Sequence, residues 1–76
     1  MKIGCLKEIK KHEYRVGLIP SDVKSYVLRG HKVMIQQGAG EAAGFSDDEY
    51  IKAGAQIVEE RKVIFDSCEM IVKVKE

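Results

Sequence analysis

What this chain has little of narrows it first. Among its 76 residues no apolar run approaches the length of a membrane-spanning helix. The opening MKIGCLKEIKK also lacks the apolar stretch that a signal peptide needs. Both absences point to a cytoplasmic protein. Neither sign of charge dominates: 13 Lys and Arg stand against 12 Asp and Glu, scattered along the chain, for a net charge of +1. That excludes a basic nucleic-acid-binding tail and a polybasic membrane-surface segment. Two cysteines, Cys5 and Cys68, are too few and too far apart for the framework of a secreted mini-domain. Neither has a CxxC partner or a histidine at metal-ligand spacing, so no metal site is expected, and both read as small buried apolar residues on strands, with a disulfide or a reactive thiol as the alternative. The chain has no internal repeat, no low-complexity stretch and no visible interior boundary. At this length it is at most one small domain with a modest core.

What is present is an alternation of strand and helix patterns. Lys2 to Leu6 (KIGCL) reads as a short strand, followed by a charged loop from Lys7 to Leu18 with a short extended piece at Tyr14 to Leu18. A loop of that length in a compact domain is often functional. The single proline, Pro20, suits the first turn of a helix, where its missing N–H is not needed. Val23, Tyr26 and Val27 follow helical spacing and Gly30 supplies a left-handed stop, so a helix is predicted over Pro20 to Arg29. Lys32 to Gln36 (KVMIQ) is the second strand, followed by a glycine-rich turn from Gly38 to Gly44. Ser46 and Glu49 form a capping box, and Phe45 and Tyr50 a hydrophobic staple, which starts the next helix at Asp47. Gly54 ends it. Ala55 to Val58 is a third strand, Glu59 to Ser67 holds a brief helical turn at Val63 to Phe65, and a fourth strand begins at Met70. Its β-branched run has the composition of a strand buried on both faces. The alternation predicts an α/β fold: a parallel sheet of about four strands with flanking helices.

Gly38-Ala39-Gly40-Glu41-Ala42-Ala43 satisfies the loose dinucleotide pattern GxGxx(G/A), follows a strand, and has Glu59 and Glu60 about twenty residues on. In a working fingerprint the glycines open directly into a helix whose free amides hold the pyrophosphate. Here the caps put the helix start at Asp47, past the glycines, and its aspartates would repel phosphate. A tight turn is the favoured reading.

The cations near strand ends are the other candidates for chemistry. Arg15 lies in the loop after the first strand, and Lys73 and Lys75 share one face of the last strand. If that strand is parallel, all three belong to the carboxyl edge of the sheet, where open α/β folds bind ligands. An arginine fork grips a carboxylate through two parallel hydrogen bonds, and a nearby lysine can hold a second oxygen, which suits a small 2-oxo or 2-amino acid. The alternative is that these are ordinary solvated surface cations. His31 is explained by hydrogen bonding to the last carbonyls of the first helix and His12 by solvent exposure, while Glu8 and Glu13 either orient Arg15 or pair with neighbouring lysines, pairs that contribute little at a surface. No residue makes a convincing nucleophile, general acid or metal cluster.

Taken together, MKIGCLKEIKKHEYRVGLIPSDV, RGHKVMIQQGAGEAAGFSDDEYIKAGAQIV and MIVKVKE resemble the N-terminal stretch of the family shared by alanine dehydrogenase and proton-translocating nicotinamide nucleotide transhydrogenase. The likeness runs over essentially the whole chain, in the same order and at compatible spacing. On the alanine dehydrogenase side it implies reversible, NAD-dependent oxidative deamination of L-alanine to pyruvate and ammonia. It implies that Arg15 binds the substrate carboxylate and Lys75 the substrate's oxygens, with Lys73 left to strand electrostatics. It also implies a homo-oligomer, hexameric in the family.

The resemblance further implies that residues 1–76 are the first part of a substrate-binding domain, a Rossmann-like (flavodoxin-like) lobe. The catalytic residues and the NAD-binding domain of such enzymes follow the point where this chain ends, so no catalytic or cofactor-binding residue is expected within it, and the 76-residue chain alone is expected to be inert. Two departures stand out. Ile19 replaces a helix-capping threonine, weakening that helix start by about 1 kcal/mol, and Cys5 replaces an aliphatic residue. Two other functions compete: the corresponding lobe of a transhydrogenase, which tends to replace the lysine at position 75, and a non-catalytic module that binds a small carboxylate or oligomerises through an exposed sheet edge.

Overall fold

The computed structural model describes residues 1–7 and 16–72. Its elements follow one another as β1 (Lys2–Cys5), α1 (Pro20–Leu28), β2 (Lys32–Gln36), a 3-10 turn over Glu41–Ala43, α2 (Asp47–Lys52), β3 (Gln56–Val58), α3 (Arg61–Ser67) and β4 (Met70–Val72). The four strands form one sheet in the order β3-β2-β1-β4, and every pairing is parallel. This is the α/β architecture expected from the alternating pattern.

Helices cover both faces because strand side chains alternate. Ile3 and Cys5 of β1 and Val33 and Ile35 of β2 point to one side, where they are buried with Val23 of α1 and Tyr50 of α2. Leu6 and Val58 point to the other side and bury Ile64 of α3, with Met34, Cys68 and Ile71 packed around them. Burying a side chain such as Ile3, Ile35 or Ile64 contributes about 1.5–3 kcal/mol. Gly4 makes the second layer possible. A Cβ there would collide with Ile64 Cγ2 and stand 2.9 Å from Cys68 Sγ, so only glycine lets α3 lie this close to β1.

The local punctuation explains where elements start and stop. Ser46 Oγ accepts from the Glu49 N–H at 3.3 Å, and Glu49 Oε2 accepts from the Ser46 N–H at 2.8 Å, completing the capping box of α2. Phe45 and Tyr50 meet edge to face at 6.5 Å, as the staple requires. At α1 only the reciprocal half of a capping box exists. Asp22 Oδ2 accepts from the Ile19 N–H at 3.2 Å, while the isoleucine side chain has no acceptor to offer in return. Gly30 stops α1 in the left-handed region, at φ +91°.

Four expectations need correction. The helix before β4 is not a brief turn at Val63 to Phe65: it runs over Arg61–Ser67, because Ile64 is drawn fully into the sheet face. The last strand is not buried on both faces. Among the described residues it is the edge of the sheet, where Ile71 and Val72 are half-buried and Met70 is 37 % exposed. Val16 to Leu18 form no strand, and the rest of the extended piece lies outside the described residues. Cys68 caps the end of α3 and does not stand on a strand, whereas Cys5 is fully buried in β1 as expected.

Candidate functional site

The chain adds β2 and β3 on one side of β1 and then returns to place β4 on the other. That reversal is a topological switch point, and in open α/β sheets the ligand crevice lies outside the carboxyl ends of the strands flanking it. Here those strands are β1 and β4, whose last residues Cys5 and Val72 are register partners. The amino ends of the same two strands are tied together through Glu69: its N–H donates to the Lys2 carbonyl at 2.9 Å, and its Oε1 accepts from the Lys2 N–H at 3.0 Å.

Side chains hold the backbone on both sides of positions 8–15. Lys7 lies beyond the β1 ladder, yet its N–H donates to Gln36 Oε1 at 2.7 Å and its carbonyl accepts from Arg61 Nη1 at 3.0 Å. After position 15, Val16 packs against the core and Leu18 is buried. The buried Tyr50 hydroxyl donates to the Leu18 carbonyl at 2.7 Å. Burial, reinforced by nearby acidic groups, pushes the Tyr50 phenol up to about 12. It therefore stays a neutral donor across the physiological range.

The glycine turn does not fit a pyrophosphate. The Gly38 N–H donates to Asp47 Oδ1 at 2.9 Å. The amides of Ala39, Glu41, Ala43, Gly44 and Phe45 donate to carbonyls of residues 36–41. The 3-10 turn separates the glycines from α2, which begins at Asp47. Gly40 serves packing instead: a Cβ there would stand 2.5 Å from the Tyr50 hydroxyl oxygen. The dinucleotide-like pattern is thus a turn shaped around Tyr50.

Of the residues singled out from the sequence, Arg15, Lys73, Lys75, His12, Glu8 and Glu13 lie outside the described residues. The described positions next to them in sequence are Lys7, Val16 and Val72. His31 is placed away from this edge, before β2. Its backbone N–H, not its ring, donates to the Tyr26 carbonyl at 3.1 Å, and its ring lies edge-on to Tyr26. His31, Val27 and Gly54 help line a depression of about 360 Å³ at the amino ends of β2 and β3, opposite the switch-point edge. Burial pushes the Cys68 thiol up, which keeps it protonated. Among the described residues no group of His, Cys, Asp and Glu could hold a metal, and no helix is long and apolar enough to cross a membrane.

Gln36, Arg61 and the hydroxyl role of Tyr50 escaped sequence reasoning. Each acts on backbone far away in sequence, 29, 54 and 32 positions respectively. The one available hint was a polar residue, Gln36, closing an otherwise apolar strand.

Comparison with known proteins agrees with this geometry. The chain is 51 % identical over its whole length to the alanine dehydrogenases of Methanococcus maripaludis and of Halomonas elongata, covering 20 % of each. A solved L-alanine dehydrogenase superposes over the whole chain with a TM-score of 0.94 at 54 % identity, 21 % of that protein being covered. A transhydrogenase from Sinorhizobium meliloti matches less well: TM-score 0.73 and 33 % identity over 76 % of this chain and 18 % of that one. The chain thus spans about a fifth of the length of its curated relatives. The family model of the alanine dehydrogenase/PNT N-terminal domain matches residues 4–76, and with the parallel 3-2-1-4 sheet this places the chain in that family.

Proposed function

We propose that this chain supplies the substrate-binding edge of an NAD-dependent L-alanine dehydrogenase. The reaction is L-alanine + NAD⁺ + H₂O giving pyruvate + NH₄⁺ + NADH + H⁺, and its reverse. The observation that carries the proposal is the adjacency of β1 and β4 at the switch point. Arg15 follows β1 in sequence, Lys75 follows β4, and the two strands end on the register pair Cys5 and Val72. Arg15 grips the carboxylate common to alanine and pyruvate through two parallel hydrogen bonds. Lys75 holds a further substrate oxygen as a point charge. Bound elsewhere in the polypeptide, NAD supplies the hydride acceptor. Most amides of the glycine turn are taken internally, and the turn does not open into a helix, so the NAD site is assigned to the part of the relatives' length that this chain does not span. The proposal includes a cytoplasmic location and a homo-oligomeric assembly.

The test is a hydride-transfer assay of the complete polypeptide, run beside the 76-residue chain. NADH formation that requires L-alanine in the complete polypeptide, with none from the 76-residue chain, is the expected result. Alanine-independent hydride exchange between two nicotinamide nucleotides would replace this reading by that of a transhydrogenase.

A further inference from the structure

We propose that Glu69 selects the register of β4 on β1, holding Lys2 at two points so that the carboxyl ends of the two strands stand level at Cys5 and Val72. The ladder alone specifies little. It consists of three pairs, Ile3 with Met70, Gly4 with Ile71 and Cys5 with Val72. A slip of one residue is ordinarily forbidden because it turns the apolar side chains of a strand toward water. In β4 that penalty is small, since Met70, Ile71 and Val72 are all apolar. Val72 packs on the layer of α1 and α2 and Ile71 on the layer of α3, so a slip exchanges one apolar side chain for another.

Glu69 removes this degeneracy. Any residue opposite Lys2 could give its N–H to the Lys2 carbonyl, as Glu69 does at 2.9 Å. Only one with a side-chain acceptor can also take the Lys2 N–H, as Glu69 Oε1 does at 3.0 Å. A carboxylate makes that bond strongly. A slip in either direction would bring Cys68 or Met70 opposite Lys2, and their sulfurs are weak acceptors. Each such step would also move the end of β4 by about 3.3 Å along β1, at the switch point of the sheet.

The test is disulfide trapping with diamide in the complete polypeptide carrying Cys68→Ala, with the linked peptides identified by mass spectrometry. Neighbouring strands run about 4.8 Å apart, within the span that a disulfide bridges. With Glu69 in place, Val72→Cys is expected to bond to Cys5, and Ile71→Cys, on the other face, is not. Glu69→Met should lower the yield at position 72 several-fold and let Cys5 bond to Ile71→Cys or Lys73→Cys. Glu69→Gln, whose amide oxygen still accepts, should keep the original pattern. An unchanged pattern in Glu69→Met would mean that the short connection from α3 sets the register, and the proposal falls. It falls equally if the yield at 72 drops with no bond gained at 71 or 73, or if Val72→Cys fails to bond to Cys5 while Glu69 is intact.

Discussion

The Tyr50 hydroxyl donates to the Leu18 carbonyl at 2.7 Å, joining α2 to the segment that leads into α1. Tyr50 is fully buried, and its ring fills the space left by Gly40. One residue thus ends a staple, fills a core and ties down the backbone that follows position 15. Tyr50→Phe keeps the ring and leaves a buried carbonyl without its donor. The expected cost is about 1–2 kcal/mol, read as a lower urea midpoint with an unchanged m-value.

The same phenol makes stability pH-dependent on the alkaline side. The fold raises its pKa from the ordinary value of 10.0 to about 12, first of all through burial. A group with a higher folded pKa contributes its stability in full below the unfolded value and loses it as pH rises through the folded one. The contribution, on the order of 2 kcal/mol, is therefore present below pH 10 and disappears between pH 10 and about 12. The Cys68 thiol, also raised by burial, acts in the same direction. Denaturant titrations across this range should show wild type losing more stability than Tyr50→Phe.

Much of the fold could be read from the residues because its punctuation is local. Ser46, Glu49 and Phe45 set the start of α2, and Gly30 and Gly54 stop helices at positive φ. The helix α3 was harder, since Glu60 provides no side-chain cap and the helix owes its length to Ile64 meeting the sheet. The half-burial of β4 depends on strand order, which composition does not encode. For the proposed site, the sequence offered Arg15 in the loop after the first strand and Lys73 and Lys75 at the end of the last, and the family resemblance alone separated Lys75 from Lys73; all three lie outside the described residues. Gln36, Arg61 and Tyr50 did not stand out, because a contact between a side chain and distant backbone has no periodicity to betray it.

Two glycines separate a packing constraint from a backbone one. Gly4→Ala drives a methyl group into Ile64 and Cys68, and overpacking of this kind costs about 1–3 kcal/mol. Gly30→Ala meets nothing within 4 Å and suffers only from φ +91°, a strain of about 1–2 kcal/mol. Near-neutral stability of Gly4→Ala in thermal melts would show that α3 does not sit against β1 as described.

Ile19→Thr should stabilise the chain. A threonine hydroxyl at the N-cap can accept from the first turn of α1, which now lacks any side-chain acceptor there. Ile19 is 38 % exposed, so the apolar burial it gives up offsets part of the cap's gain. A gain of about 0.5–1 kcal/mol is expected, measured as a raised Tm.

The most direct test of the central claim is KM for L-alanine in the complete polypeptide carrying Arg15→Met, with KM for NAD measured alongside. Losing a two-pronged, charge-assisted grip on a carboxylate should raise KM for L-alanine about a hundredfold or more, with KM for NAD unchanged. An L-alanine KM equal to that of the unsubstituted protein would contradict the assignment of the β1–β4 edge as the carboxylate site.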